Sequence, residues 1–327
     1  MSVSDSLFSD DHAGFGRPPK RTRPRTKDRP DYSKLPVGRV WTIDRGRYRC
    51  VVGDTDVTAA KARALGRKSV VVGDLVRLDG DVSGTEGSLA RIAEVEPRRT
   101  ILRRTADDDD PYERPIVANA DQLVIVTALA DPEPRMGMID RTLVAGYDAG
   151  LDPVLCLTKA DLASPDDLAA AYHPLGIPCF SLSPGCDLDP LRERLADRVS
   201  VFIGHSGVGK STLVNALIPD AGQRTGQVND VTGKGRHTST AAIALYLPGG
   251  GWVIDTPGVR SFGLKHVDPS HVIAAFSDLN EIAEDCPRGC THRADQPECA
   301  LDEAVRDGRL PLARLESFRR MEASPDW

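Results

Sequence analysis

Residues 199–217, with the sequence VSVFI-GHSGVGKS-TLVNAL, decide the fold of this chain. The first five residues are apolar enough for a buried strand, and the last six suit the start of a helix. Between them, residues 204–211 match the pattern G-x-x-x-x-G-K-S without a gap. Glycines in such a loop let backbone N–H groups surround phosphate oxygens, and the following helix adds its positive N-terminal dipole. The stretch therefore predicts a strand, a phosphate-binding loop and a helix of an α/β domain.

The side chains expected at the phosphates lie in this loop and in a second motif further along. Lys210 is expected to reach the β- and γ-phosphates, and the Ser211 hydroxyl to ligate Mg²⁺. Asp255 follows an apolar strand and is expected to hold Mg²⁺ through water, with the Gly258 N–H meeting the γ-phosphate. Asp-x-Pro-Gly alone is also an ordinary turn, so this assignment depends on the phosphate loop. The predicted set is Gly204, His205, Ser206, Gly207, Val208, Gly209, Lys210, Ser211, Thr212, Asp255 and Gly258.

Residues 222–242 lie between these two motifs and are rich in Gly, Thr, Ser and basic residues. This composition is typical of a loop that orders around a bound nucleotide. Thr238, or one of the two hydroxyl residues after it, is expected to ligate Mg²⁺. Val259 stands where Ras-like GTPases carry the glutamine that orients water, so slow hydrolysis is expected. His237 is then the candidate catalytic residue once a partner orders the loop; an exposed loop histidine is the alternative.

A base-reading motif is predicted at Thr158-Lys159-Ala160-Asp161, directly after the apolar run 154–157. An Asp at this place can accept the two N–H groups of guanine N1 and N2, which adenine lacks, and so select GTP. The Lys159 stem is expected along the base, and the backbone of residues 181–185 near the guanine oxygen. Taken singly, the motif is also compatible with a helix-capping turn. It begins 46 residues before the phosphate loop, whereas small GTPases have the reverse order, so a circular permutation is predicted.

A metal site is predicted at Cys286, Cys290, His292 and Cys299. Three thiolates and one imidazole within fourteen residues suit a closed tetrahedral Zn²⁺ site. Since no ligand position remains for water, a structural role is favoured over a catalytic one. The neighbouring segments carry seven arginines, which suggest a second RNA-facing surface: Arg288, Arg293, Arg306, Arg309, Arg314, Arg319 and Arg320.

The charge distribution along the 327 residues is uneven, although the net charge is −6. Residues 1–105 carry 22 Lys and Arg against 14 Asp and Glu, whereas residues 106–327 carry 20 against 34. A basic front end favours contact with a polyanion. No apolar run approaches the roughly 20 residues of a membrane span, and no signal-peptide pattern opens the chain. Seven cysteines are too sparse for a disulfide scaffold, so a cytoplasmic protein without membrane contact is expected.

The predicted organisation is multi-domain, with four parts. Residues 1–35 are a basic disordered N-terminal arm, and residues 36–99 an OB-like β-barrel, because short alternating runs are separated there by Gly-Asp steps. Its expected strands lie in residues 37–43, 48–52, 69–72, 75–78 and 89–95. Residues 100–264 form the permuted α/β P-loop GTPase domain, in which strands and helices alternate. Residues 265–327 form a mostly helical zinc-binding domain.

Together these features resemble the RsgA (YjeQ) family of bacterial small-subunit assembly GTPases. The resemblance covers residues 36–320 and includes residues 204–212, 235–238, 255–264 and 286–299. It implies one structural Zn²⁺, Mg²⁺ with GTP, and GTP hydrolysis stimulated by the 30S ribosomal subunit. It also implies binding to 16S rRNA, a late role in 30S maturation, and release of ribosome-binding factor A. A monomer is expected.

The chain departs from the family pattern at two places. The usual Asn of the base-reading motif is Thr158, which keeps a hydroxyl but loses the carboxamide, so weaker guanine affinity is expected. The metal motif has three residues between its first two cysteines and six between His292 and Cys299, where four and five are usual. Two alternative functions are also compatible with the sequence: a metallochaperone-type GTPase, and an RNA-binding module with a vestigial nucleotide site.

Overall fold

The computed structural model describes residues 31–66, 70–105, 113–219, 242–257, 269–294 and 296–323. The predictions for the arm before residue 31, for His237 and Thr238, and for Gly258 therefore lie outside the described residues. Across the described ranges, no helix combines the length and the apolar character needed to cross a bilayer.

A five-stranded barrel occupies residues 37–95 and confirms the OB-like prediction. The strand order is β1-β2-β3-β5-β4, and β4 pairs back with β1 to close the barrel. All pairs are antiparallel except β3 with β5. The alternate side chains that point inward form its core. The strands are β1 (Val37–Asp44), β2 (Arg47–Val52), β3 (Thr55–Lys61), β4 (Leu75–Gly80) and β5 (Ala90–Val95).

The third barrel strand is not the one that the apolar pattern predicted. Val70, Val71 and Val72 are buried, but they form only one bridge, between Val72 and Val117, instead of a strand. The strand is Thr55–Lys61, which buries only Val57 and Ala59 and therefore has a weak apolar signal. It forms because the Gly53-Asp54 turn folds it back on β2 over six residue pairs.

The central sheet has the parallel core that was predicted, in permuted order. Its strand order is β10-β9-β8-β11-β13-β12, in which β12 is antiparallel to β13 and the other neighbours are parallel. Parallel strands end at one edge, so the segments that follow β9 and β11 meet there. The strands are β8 (Gln122–Ala128), β9 (Asp152–Thr158), β10 (Cys179–Leu182), β11 (Val199–Ile203), β12 (Ile243–Tyr246) and β13 (Trp252–Asp255).

Within the described residues, four helices accompany this sheet. Just before α2, the Asp166 N–H donates to Ser164 Oγ at 3.2 Å. Apolar side chains of α1 and α2 pack with one sheet face, and those of α3 and α4 with the other. The helices are α1 (Met136–Asp148), α2 (Asp166–Tyr172), α3 (Asp189–Leu195) and α4 (Lys210–Leu217).

The barrel and the central sheet are joined by strand pairing and by a small hairpin. β1 pairs with β12 at Thr42 and Ile243, so the strands form one continuous sheet. The hairpin of β6 (Ile101–Thr105) and β7 (Glu113–Ala118) was not predicted. Beside it, Gly73 has a φ of +91°, and a Cβ there would lie 2.0 Å from the Ala118 carbonyl oxygen. Only glycine permits this close backbone approach.

The C-terminal part is helical, as predicted, and rests on α1 and on the 3₁₀ turn at His173–Leu175. Three of the seven arginines expected on an RNA-facing surface make internal contacts instead. Arg314 pairs with Asp278, Arg319 with Asp302, and Arg320 with Asp140. The helices are α5 (Pro269–Ala274), α6 (Ser277–Ala283), α7 (Ala300–Arg306) and α8 (Leu312–Glu322).

Candidate nucleotide-binding site and metal centre

The phosphate loop connects the end of β11 with the start of α4. Gly207 and Gly209 have φ values of +85° and +87°, which side chains rarely tolerate. Gly204 is required for space, because a Cβ there would lie 2.5 Å from the Val126 carbonyl oxygen. Helix α4 begins at Lys210, so the backbone amides at its first turn face the edge where the central strands end. The sequence prediction of strand, loop and helix is reproduced.

Lys210 and Asp255 lie side by side at this edge. The Lys210 ammonium donates to the Asp255 carboxylate and to the Thr256 carbonyl, and it is almost fully buried. The Thr256 hydroxyl in turn donates to the Phe202 carbonyl at 2.7 Å, which fixes the end of β13 against β11. The two motifs thus bring one cation and one carboxylate together beneath the phosphate loop. Ser211 and Thr212 follow Lys210 and are exposed.

The base-reading motif lies at the end of β9, on the same edge. Lys159 has a φ of +58°, and its ammonium donates to the Asp131 carbonyl. The Ala160 N–H donates to the Leu182 carbonyl at 3.1 Å, which connects this motif to the segment after β10. Asp161 is exposed and has no described cation at its carboxylate. Its acceptor oxygens therefore remain available to a ligand.

A single cavity of about 480 Å³ joins the base-reading motif to the phosphate loop. This volume falls within the roughly 300–1,000 Å³ of small-molecule pockets. Its wall includes Lys159 and Asp161 at one end and Gly209 and Thr212 at the other. The permuted order therefore still places both motifs around one space.

Several residues of this cavity were not predicted. Leu162, Cys186 and Leu188 line it and give it an apolar wall, next to residues 182–185 of the segment that was predicted to lie near the base. Leu162 is 60% exposed. The only feature of the sequence that could have identified these residues is that they follow strands β9 and β10. His205, in the predicted phosphate-binding set, is half-buried, with Nδ1 3.0 Å from the Ser206 carbonyl oxygen.

The four predicted metal ligands converge in the C-terminal part. The ligand atoms of Cys286, Cys290, His292 and Cys299 all lie within 4.8 Å of one another. His292 Nδ1 is 3.6 Å from the sulfurs of Cys286 and Cys290 and 3.9 Å from that of Cys299. Zn–S bonds of about 2.3 Å and Zn–N bonds of about 2.0 Å in a tetrahedron require S–N separations of about 3.5 Å. The group therefore fits one zinc ion, in spite of the altered spacing.

The surroundings of this group favour metal binding. The Ala300 N–H points to the Cys286 sulfur at 3.3 Å, and Arg319 Nε donates to the His292 carbonyl at 2.8 Å. Burial, and secondarily the Arg319 charge, lowers the pKa of His292, so the imidazole is neutral at neutral pH. Burial raises the pKa of the Cys286 thiol to about 11. A bound metal would therefore displace the thiol proton, as thiolate coordination requires.

Comparisons with known proteins agree with this architecture. The model of the RsgA GTPase family matches residues 95–265. The small ribosomal subunit biogenesis GTPase RsgA of Pseudomonas fluorescens SBW25 is 42% identical over 251 residues, which cover 74% of this chain and 72% of that protein. The protein of the same name from Pseudomonas aeruginosa LESB58 is 43% identical over 251 residues, with coverage of 74% and 73%.

Two solved structures superpose over most of this chain. YjeQ from Thermotoga maritima superposes with a TM-score of 0.65 at 27% identity, covering 88% of this chain and 96% of that one. YloQ, described as a circularly permuted GTPase, gives a TM-score of 0.63 at 25% identity, with coverage of 91% and 98%. On the evidence of the permuted sheet, the shared cavity and these relatives, the chain belongs to the RsgA GTPase family.

Proposed function

We propose that this protein binds and hydrolyses GTP and acts in the biogenesis of the small ribosomal subunit. The observation that carries the proposal is the cavity lined both by Asp161 and by Gly209 and Thr212. A nucleoside triphosphate is the class of ligand that presents a base at one end and phosphates at the other. The small-subunit role is inferred from the relatives, which are small ribosomal subunit biogenesis GTPases.

Asp161 is proposed to select guanine. Its exposed carboxylate can accept the N1 and N2 hydrogens of guanine, and adenine offers neither donor in that geometry. Lys159 already lies across the edge of the site, with its ammonium on the Asp131 carbonyl, so its aliphatic stem can cover the base. Thr158 and Ala160 hold this segment against β8 and β10.

The phosphate-side residues are proposed to act mainly by electrostatics. Lys210, now paired with Asp255, would exchange that carboxylate for the β- and γ-phosphate oxygens. Ser211, Asp255 and Thr238 would then hold Mg²⁺, which supplies charge neutralisation between the phosphates. The Gly258 N–H is proposed at the γ-phosphate and His237 at the attacking water; both residues lie outside the described part of the chain.

We propose that hydrolysis is slow in the isolated protein and faster on the 30S subunit. Val259 cannot orient water, so an added partner must order the loop that carries His237. The barrel and the zinc-binding part are proposed to contact 16S rRNA, and hydrolysis to time release of this protein and of ribosome-binding factor A. The protein would work as a cytoplasmic monomer. One Zn²⁺ with four protein ligands leaves no position for exchange, which favours a structural ion over cargo.

The test of guanine selection is the substitution Asp161→Asn. Asparagine replaces one acceptor oxygen with a donor, which no longer suits guanine but suits xanthine, whose C2 carries an oxygen. We expect GTP affinity to fall about 10- to 100-fold, as for loss of a hydrogen bond to a charged group, and xanthosine triphosphate affinity to rise. Displacement of a fluorescent guanine nucleotide by GTP, ATP and xanthosine triphosphate measures this.

Asp167→Asn, an exposed change on α2, is the matched control and should leave all three affinities unaltered. Displacement by ATP as effective as by GTP would refute guanine selection. Hydrolysis with and without purified 30S subunits tests the second half of the proposal. An equal rate in both conditions would refute the ribosome-dependent function.

A further inference from the structure

A second groove lies where the barrel meets the central sheet, separate from the nucleotide cavity. It has a volume of about 550 Å³. Because β1 and β12 are hydrogen-bonded neighbours, its floor crosses from one part of the molecule to the other. The lining residues that matter here are Trp41, Arg49, Asp54 and Asp56 of the barrel, and Tyr246 and Trp252 of the central sheet.

The sheet side of the groove presents an aromatic pair. Tyr246 and Trp252 are directly opposite on β12 and β13, and their ring centroids are 5.6 Å apart in an edge-to-face arrangement. Tyr246 is 49% exposed although it belongs to the sheet. Aromatic faces left open to solvent in this way can bind a cation through their negative ring faces.

The barrel side already shows how the groove accommodates a guanidinium. The Arg49 guanidinium lies over the Trp41 ring, 5.1 Å from its centroid. It also pairs with the Asp56 carboxylate, which accepts the Trp41 Nε1 hydrogen at 3.0 Å. An aromatic face and a carboxylate together hold this cation. The exposed Asp54 lines the same groove as Tyr246 and Trp252, so a carboxylate and aromatic side chains are again present there.

The charge around the groove favours a cationic ligand. Arg49 is the single cationic residue among those that line the groove in the described chain. The loop at residues 81–89 contains Asp81 and Glu86 and no Lys or Arg. It lies next to β3, since a Cβ on Gly84 would be 2.7 Å from the Asp56 carbonyl oxygen. Carboxylates therefore dominate this rim and would repel the phosphates of RNA.

We propose that this groove binds a basic segment of a polypeptide partner, with an arginine or lysine side chain inserted between Tyr246, Trp252 and Asp54. The inference is independent of the proposed GTPase activity. An occupant would contact the barrel and β12 at once and would brace the two parts against each other.

The test uses intrinsic tryptophan fluorescence in a Trp327→Phe background, which leaves Trp41 and Trp252 as the reporters. The probe is a capped peptide of alternating glycine and arginine. We expect saturable binding, and no binding by the same peptide with uncharged citrulline for arginine. Tyr246→Ala should weaken binding about fivefold, equivalent to about 1 kcal/mol for a cation–π contact. Asp54→Asn should weaken it by about the same factor.

Two control variants alter exposed residues elsewhere, Leu312→Ala on α8 and Asp167→Asn on α2, and should bind the peptide like the parent protein. Thermal unfolding compared with the parent protein checks that Tyr246→Ala is folded, so a negative peptide result is distinguishable both from misfolding and from failure of the proposed function. Equal binding of the citrulline peptide or unchanged binding by Tyr246→Ala would overturn the proposal. Saturable binding of a single-stranded RNA oligonucleotide added without peptide, weakened by Tyr246→Ala, would also overturn it and would indicate an RNA-binding face.

Discussion

Thr158 connects the two halves of the candidate nucleotide site through one hydroxyl. Its side chain is buried, and Oγ1 donates to the Val208 carbonyl within the phosphate loop. The same atom lies 3.2 Å from the Thr127 carbonyl oxygen at the end of β8. Gly209 lies against this side chain, since a Cβ there would be 3.7 Å from the Thr158 Cβ. A shorter residue than asparagine thus still links the base-reading and phosphate-binding segments.

Removing only this hydroxyl should loosen the site. Thr158→Val keeps the shape but leaves the Val208 carbonyl without its donor, at a cost of about 1–2 kcal/mol. We expect guanine nucleotide to dissociate roughly tenfold faster from this variant, measured by stopped-flow with a fluorescent nucleotide. Thr158→Ser retains the hydroxyl and should dissociate within about twofold of the parent. Equal rates for the valine variant and the parent would show that the contact does not support binding.

Glu322, at the end of α8, gives a pH-dependent contribution to stability. Burial raises the pKa of its carboxyl from 4.5 to about 7, and Arg293 and Arg319 oppose this only in part. A raised carboxyl pKa means that the folded state binds the proton more tightly, so stability falls as pH rises from about 4.5 to about 7. The full penalty above this range is about 3 kcal/mol at most.

Glu322→Gln should therefore be more stable than the parent above pH 7 and should lose this advantage as the pH falls toward 4.5. Thermal unfolding across that range measures the difference. Glu316→Gln changes an exposed residue of the same helix and serves as the control. A constant difference between Glu322→Gln and the parent at every pH would contradict the raised pKa.

At the scale of elements, the phosphate loop was predictable and the third barrel strand was not. Residues 204–211 combine a chemical pattern with a strand before and a helix after, so three signals agree. Thr55–Lys61 has only Val57 and Ala59 as buried side chains, and its pairing partners β2 and β5 decide its structure. The hairpin β6–β7 likewise gave no distinct signal. A chemical motif in the sequence identifies the phosphate loop, whereas pairing with strands distant in sequence determines β3 and the β6–β7 hairpin.

The candidate metal-binding segment, residues 286–299, is expected to depend on a bound zinc ion for its stability. Because structural zinc contributes folding free energy directly, chelation should release one zinc per chain and lower the unfolding temperature of the C-terminal helices. Cys290→Ser should have the same effect, measured by metal analysis and thermal unfolding. Cys179→Ser, outside the cluster, is the matched control. The guanine nucleotide affinity of Cys290→Ser should stay within about twofold of the parent value. If Cys290→Ser retained the full amount of zinc, Cys290 would not be a ligand.

The whole molecule is held together by contacts that sequence pattern does not reveal. The strand pair β1–β12 connects the barrel to the central sheet at Thr42 and Ile243. On the other side, Arg314 donates to the Pro174 carbonyl at 2.6 Å and lies over Phe276, so a residue predicted to face RNA instead fixes α8 to the central region. The motif residues could be predicted because they carry chemistry, whereas an arginine has the same sequence signal in either role.

Arg320 and Asp140 provide the sharpest test of this attachment. Arg320 lies 3.4 Å from the Asp140 carboxylate, stacks over Tyr172 at 4.9 Å and donates to the Ala171 carbonyl at 3.1 Å. The Asp140 side chain is only 4% exposed, and burial, opposed by Arg320, raises the pKa of its carboxyl. Arg320→Met keeps the stem but leaves this carboxylate buried without its cation.

Loss of a partner from a buried ion pair costs about 3–5 kcal/mol, and the partial exposure of Arg320 places the expected loss at the lower end. The free energies of unfolding in denaturant of the parent, Arg320→Met, Asp140→Asn and the double variant form a double-mutant cycle. The double variant should be more stable than Arg320→Met alone, because asparagine removes the uncompensated charge. Arg309→Met breaks an exposed pair with Asp307 at 3.6 Å and should cost at most about 1 kcal/mol. If the losses of unfolding free energy in the two single variants add up to the loss in the double variant, Arg320 and Asp140 do not interact energetically.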